Sequence, residues 1–158
     1  MARDQYDTPA VVRQLNRILE AELAGIVRYT HYSFMIFGFH RIAIVQWLRA
    51  QASESLLHAT EAGEMITSLG GHPSLAIGPL LDTHRHDLGD ILAEALDHET
   101  AALDLYRELI PLVDGKSVML EEYARKMIGT EEAHVGEVRK MLRGTGVPVA
   151  ERKTKRKR

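Results

Sequence analysis

Apolar positions recur at three- and four-residue steps through four long stretches of the chain, the spacing of one face of an α-helix. In the first, Leu15, Ile18, Leu19, Ile26, Tyr29 and Ser33 form the stripe. Thr8-Pro9 supplies an N-cap and a first helical proline, and Gly38 marks the break, so a helix is predicted from Thr8 to about Phe37. The second runs from about Arg41 to Leu69, with Trp47, Leu48, Ala62, Met65, Ile66 and Leu69 inward; Gly70-Gly71 and Pro73 stop it. The third, about Arg85 to Val113, carries Ile91, Leu92, Ala95, Leu96, Leu103, Tyr106 and Ile110, and Asp114-Gly115 is its turn signal. The fourth starts near Ser117 and ends by Arg143-Gly144, with Leu120, Ala124, Met127, Ile128, Val135, Val138 and Leu142 inward. Residues 70–85 hold glycine and proline but no period, and a connection of that length in a bundle crosses from one end to the other. No strand pattern and no interdomain linker are present. The expectation is an all-α, antiparallel four-helix bundle over 1–145 with a long crossover between helices two and three.

Each stripe is interrupted by a residue that a core does not want. Glu22 lies mid-stripe in the first helix and Glu99 in the third. The second carries Glu54 and His58, four apart, and the fourth carries Glu131 and His134, three apart; either spacing puts both side chains on one helix face. One inward Glu, or one Glu/His pair, is more often a solvated residue or a misjudged register. Their joint occurrence, mid-helix and in the repeating order Glu, Glu/His, Glu, Glu/His, points instead to two half-sites about a pseudo-twofold axis, hence two metals. Buried carboxylates are costly unless a positive charge compensates them. Four of them balance two divalent ions. Carboxylate and imidazole ligands suit Fe2+, Mn2+ and Zn2+, and helix bundles build dinuclear sites from this set.

Composition narrows the classes. The chain has no cysteine, which excludes disulfides, thiolate zinc and iron–sulfur clusters and fits a reducing cytoplasm. A net charge of −2 gives no global case for nucleic acid, yet Arg152 to Arg158 reads RKTKRKR, six basic residues in seven. A flexible solubilising tail over 146–158 is the expectation, a phosphate or acidic partner the alternative. No apolar leader or membrane-length run is visible.

The motifs around these residues resemble bacterioferritins and close ferritin-like relatives over about residues 10–143. LEAELAGIVRY surrounds Glu22, Glu99 stands eight residues before Arg107, EEAH contains Glu131 and His134, His58-Ala59 matches a His-Ala of helix two, and LGGHP follows that helix. The resemblance implies Glu22, His58, Glu99, Glu131 and His134 as ligands to two iron ions per chain. It implies Tyr29 as a hydrogen-bond partner of a ligand carboxylate. It also implies Fe2+ oxidation by dioxygen or peroxide for iron storage or detoxification, with Glu22, Glu99, Glu131 and Tyr29 in the catalytic set. Three departures stand out. The bridging glutamate three residues before the helix-two histidine is Ser55 here, and Glu54 is expected to substitute. Leu56 replaces the methionine that ligates haem, so haem is not expected. The short fifth helix of the 24-subunit cage is not seen after Arg143, so a homodimer through helices one and two, or a larger homo-oligomer, is the expectation.

Other polar residues take their bland readings. Glu20, Glu61, Glu64, Glu108, Glu121, Glu122 and Glu137 are read as solvated, and Met65, Met127 and Met141 as core. His98 and Glu132 point about 100° from the ligands beside them. His84 and His86, with Asp82 and Asp87, form either a second metal site or a capped, solvated turn. Two rival functions share the bundle: another di-iron redox enzyme (a peroxide reductase or oxygenase), and a non-catalytic subunit or DNA-associated protector.

Overall fold

Four helices form: α1 Thr8–Phe34, α2 Arg41–Ser68, α3 Leu88–Val113 and α4 Val118–Leu142. The computed structural model describes residues 6–80 and 83–143. The basic run 152–158 and Asp82 lie outside the described residues, and with them the expectations attached to the tail.

Helix ends follow from capping chemistry. Asp7, not Thr8, caps α1: its carboxylate accepts from Ala10 N at 3.0 Å, which puts Thr8 and Pro9 inside the first turn, where an amide hydrogen is not missed. The helix stops at Phe34, three residues before the expected end, and the chain turns through Gly38 at φ 92. The third helix starts later than expected. Asp87 caps it by accepting from Asp90 N at 3.1 Å, and just upstream His84 takes a left-handed φ of 52 that no helix tolerates. Ser117 caps α4.

Side-chain contacts give the directions of the helices. Tyr32 meets Glu94 and Gln14 meets Leu105 and Glu108, so α1 and α3 are antiparallel. His58 meets Glu131 and Glu61 meets Lys126, so α2 and α4 are antiparallel too. Each helical hairpin is antiparallel in itself, which leaves α2 and α3 parallel and requires the crossover to run the length of the bundle. Part of that crossover is pinned to α1: Gly78 N donates to Glu20 O at 2.9 Å, where a Cβ would meet the same carbonyl at 2.9 Å.

The core is in two pieces. One cluster packs Val11, Leu15, Ile18, Ala62, Ile66, Tyr106, Leu109, Leu120 and Met127; the other packs Tyr29, Tyr32, Ile36, Val45, Leu48 and Ile91. Between them lies a layer of buried polar side chains, Glu22, Ser55, His58, His98, Glu99 and Glu131. Met141 is exposed and not core as expected, while Val138, one turn earlier on α4, is buried. Phe37, Phe39 and Ile42 stand out at the tip of the α1–α2 hairpin, 77%, 108% and 77% exposed. Among the described residues no helix is long and apolar enough to cross a membrane.

Candidate metal centre

Five of the six side chains predicted from the sequence come together in the polar layer, in two triplets that share one residue. Glu22, His58 and Glu131 place a donor atom each within 4.8 Å of one another, and so do Glu99, Glu131 and His134. Glu131 lies between the two. Its Oε1 is 3.2 Å from His58 Nδ1 and its Oε2 is 3.5 Å from His134 Nδ1. Glu22 Oε1 is 3.3 Å from His58 Nδ1, and Glu99 Oε2 is 3.7 Å from His134 Nδ1. The rings of His58 and His134 are nearly parallel, with centroids 6.3 Å apart.

Glu54 joins neither triplet. It stands on the outer side of both rings, with Oε1 3.2 Å from His134 Nε2 and 3.8 Å from His58 Nε2, and its side chain is 36% exposed. Four residues before His58 rather than three, it is rotated out of the position its expected role requires. Ser55, which is in that position, is buried and carries only a hydroxyl. The centre therefore has three inner carboxylates and a fourth that holds the far nitrogens of both imidazoles.

The twofold repeat continues beyond the ligands. Tyr29 donates to Glu99 Oε1, and Tyr106 donates to Glu22 Oε1 at 2.8 Å. Each tyrosine lies seven residues after the glutamate of its own helix and bonds the glutamate of the other. Tyr29 is where the sequence suggested; Tyr106 was read only as an apolar stripe member. The signal was available in the equal Glu-to-Tyr spacing of the two helices.

His98, read as pointing away from the ligands, is the residue that periodicity misplaced. It is 7% exposed and lines the same hollow as the ligands. Gly25 makes the room: a Cβ there would lie 2.7 Å from Ser55 Oγ and 2.9 Å from His98 Nε2. Gly25→Ala is expected to destabilise the metal-free protein by about 1–3 kcal/mol through overpacking, read from the midpoint of urea unfolding; an unchanged midpoint would show that Ser55 and His98 yield freely. Glu132, by contrast, is exposed and pairs with Arg107 at 3.0 Å, as its position implied.

Without a metal the centre holds protons. Burial works against charge on His58, but its hydrogen bonds to Glu131 and Glu22 and their negative charge outweigh this and raise it to about 10. Burial opposes charge on His134 too, and Glu131 and Glu99 raise it to about 11. Glu131 is likewise pushed up by burial, yet its bonds to the two imidazoles bring it down to about 2. Glu99 is raised to about 7 by burial and then by the charge of Glu131, and Glu22 is raised by burial. His98 is lowered to about 4 by burial and by the charge of Arg28.

The donor set fits divalent metal. Two imidazole nitrogens and three buried carboxylates, one with an oxygen for each triplet, are the ligand types that Fe2+, Mn2+ and Zn2+ accept. With Glu54 just outside, four negative charges offset the four positive charges of two ions. The hollow they enclose is about 10 Å³, close to the space one water needs.

A four-helix bundle with a paired carboxylate–histidine centre defines a class, and sequence comparison places the chain in it. The ferritin-like domain model matches residues 12–145, so the chain belongs to the ferritin-like family. Among solved structures it is similar to a ferritin-like, diiron-carboxylate protein from Bacillus anthracis str. Ames, at 22% identity, TM-score 0.82 and coverage of 90% of this chain and 100% of that one. It is similar to the bacterioferritin-related protein of Bacteroides fragilis, described as a dodecameric thioferritin, at 22% identity and TM-score 0.81 over 87% of each chain. The Rhodobacter capsulatus bacterioferritin, described with a metal-free dinuclear site and haem iron, aligns at 24% identity and TM-score 0.75, covering 85% of this chain and 84% of that one. No curated protein matches in sequence. At these identities the structural likeness carries the fold alone.

Proposed function

We propose that the chain binds Fe2+ at the paired centre and oxidises it to Fe3+ with dioxygen or peroxide, for iron storage or detoxification. The observation that carries this reading is the pair of triplets joined through the two oxygens of Glu131. In it, Glu22 and His58 hold one ion, Glu99 and His134 the other, and Glu131 bridges them. Tyr29 and Tyr106 orient Glu99 and Glu22, and Glu54 orients the His134 imidazole from its outer nitrogen, with His58 at the longer distance of 3.8 Å. A bound pair of irons supplies two electrons at once to the oxidant.

The exposed Phe37, Phe39 and Ile42 suit contact with further copies of the chain, and the Bacteroides fragilis relative is described as dodecameric. A homo-oligomer is part of the proposal.

The test is stopped-flow oxidation of Fe2+ added anaerobically and then mixed with oxidant. The protein is expected to oxidise iron far faster than the protein-free control, and Glu22→Ala to lose most of that acceleration. Equal rates for protein, variant and control would end the proposal.

A further inference from the structure

Arg28 lies on α1 facing α3 and the crossover, 5% exposed. Its Nη2 donates to the carbonyl of Pro79. Its other two nitrogens are not so served: Nε and Nη1 are buried without a hydrogen-bond acceptor. Glu94 is its nearest acid, but Oε1 stands 3.8 Å from Nη1, beyond hydrogen-bond reach, and the two oxygens of Glu94 already accept from Tyr32 at 2.7 Å and Thr83 at 2.9 Å. Native structures rarely leave buried donors unmet, and such a group calls for a missing partner.

Arg28 borders a hollow of about 200 Å³ beside the crossover. Besides Tyr32 and Glu94, the polar wall of that hollow is Arg85, His31, His84 and His86, so among the described residues five side chains of basic type face one carboxylate. On its other side Arg28 borders a groove that carries Glu20, Asp104 and Glu108 against Arg17, and there an anion is repelled. His31 and His86 bring their Nε2 atoms to 3.4 Å. That spacing also suits two nitrogens on one divalent ion, but two guanidinium groups on the same wall oppose a cation.

We propose that this hollow is a binding site for a tetrahedral oxyanion of the phosphate class, separate from the metal centre. The anion supplies the acceptor that Arg28 lacks. Arg85 meets its other oxygens from the rim in charge-assisted hydrogen bonds of the kind that select phosphate, and His31 and His86 add ring N–H donors beside it. Free phosphate and a phosphorylated small molecule share this chemistry, and the volume has room for either.

The full-length chain, stripped of metal so that no iron can bind the anion, is titrated with inorganic phosphate and with glycerol phosphate by calorimetry and 31P NMR at low salt. Saturable binding of one anion per chain is expected, with Arg85→Ala and His31→Ala each weakening it by about tenfold or more and Arg28→Gln removing it. Tighter binding of the ester assigns the site to a phosphorylated small molecule, and equal or weaker binding assigns it to free phosphate. If Arg28→Gln does not fold, judged by its helical circular dichroism, the rim variants decide. No saturable binding to the unaltered chain, binding indifferent to the rim variants, or Zn2+ captured by His31 and His86 with phosphate ignored would each overturn the proposal. Because iron is absent throughout, failure here leaves the oxidation reading intact, and failure of Fe2+ oxidation leaves this one intact.

Discussion

Glu131→Gln is expected to abolish paired metal binding, while Glu54→Gln only weakens it. Glu131 offers one oxygen to each triplet, so its loss reaches both ions at once. Its amide replacement keeps the volume but removes the charge and one acceptor. Changes to groups that only orient ligands cost about 10- to 100-fold in metal affinity; loss of a shared ligand is expected to exceed that. Glu54 touches only the outer Nε2 atoms of His58 and His134, so Glu54→Gln belongs in the orienting range. Anaerobic Co2+ titration followed by visible absorption separates the two, with two ions per chain in the unaltered protein, two bound more weakly in Glu54→Gln, and at most one in Glu131→Gln. If Glu54→Gln loses stoichiometry as Glu131→Gln does, Glu54 is a ligand and its outer placement is misleading.

Loading the centre is expected to release at least two protons per pair of ions near neutral pH. Free of metal, His58 and His134 are raised to about 10 and 11, so both are protonated at pH 7. Each must shed its proton before Nδ1 can bind a metal. The binding constant for the pair therefore falls about 100-fold for each pH unit of acidification, and more steeply once Glu99, raised to about 7, takes a third proton. Glu131, held at about 2, stays ionised and adds nothing to the slope. The sign reverses for the metal-free fold. The stability it draws from the two imidazolium ions is complete below their unfolded value of about 6.5 and is lost as pH rises through 10 and 11. Proton release measured at constant pH during Zn2+ addition checks the first part; zero release would show that the imidazoles are already neutral. Urea unfolding of the metal-free chain across pH 7 to 11 checks the second.

Most of the architecture was legible because helix geometry is local. A period of 3.6 residues ties Leu15 to Ile18 and Leu19 whatever the rest of the chain does, and it carries Glu22, Glu99, His58, Glu131 and His134 inward, while Glu54 falls to the outer side. The ends were less legible, since Asp7 and Thr8 are both good caps, and only the structure shows that Asp7 is the one that accepts from Ala10 N. His98 shows the limit of periodicity: it stands beside Glu99 on α3, but α1, through the space left by Gly25, packs over that face as well and buries it.

The sequence by itself determined four helices, their inward stripes, the long crossover and the five side chains that the fold gathers into two triplets. It did so because each depends on spacing within one helix or on turn residues beside it. Tertiary structure alone decided that Glu54 reaches the outer nitrogens and Glu131 the inner ones, that the two tyrosines exchange glutamates, and that Arg28 is buried with donors unmet. Those outcomes depend on the axial offset and rotation of helices far apart in the chain, and a shift of about 1.5 Å, one residue along a helix, would reassign every one of them.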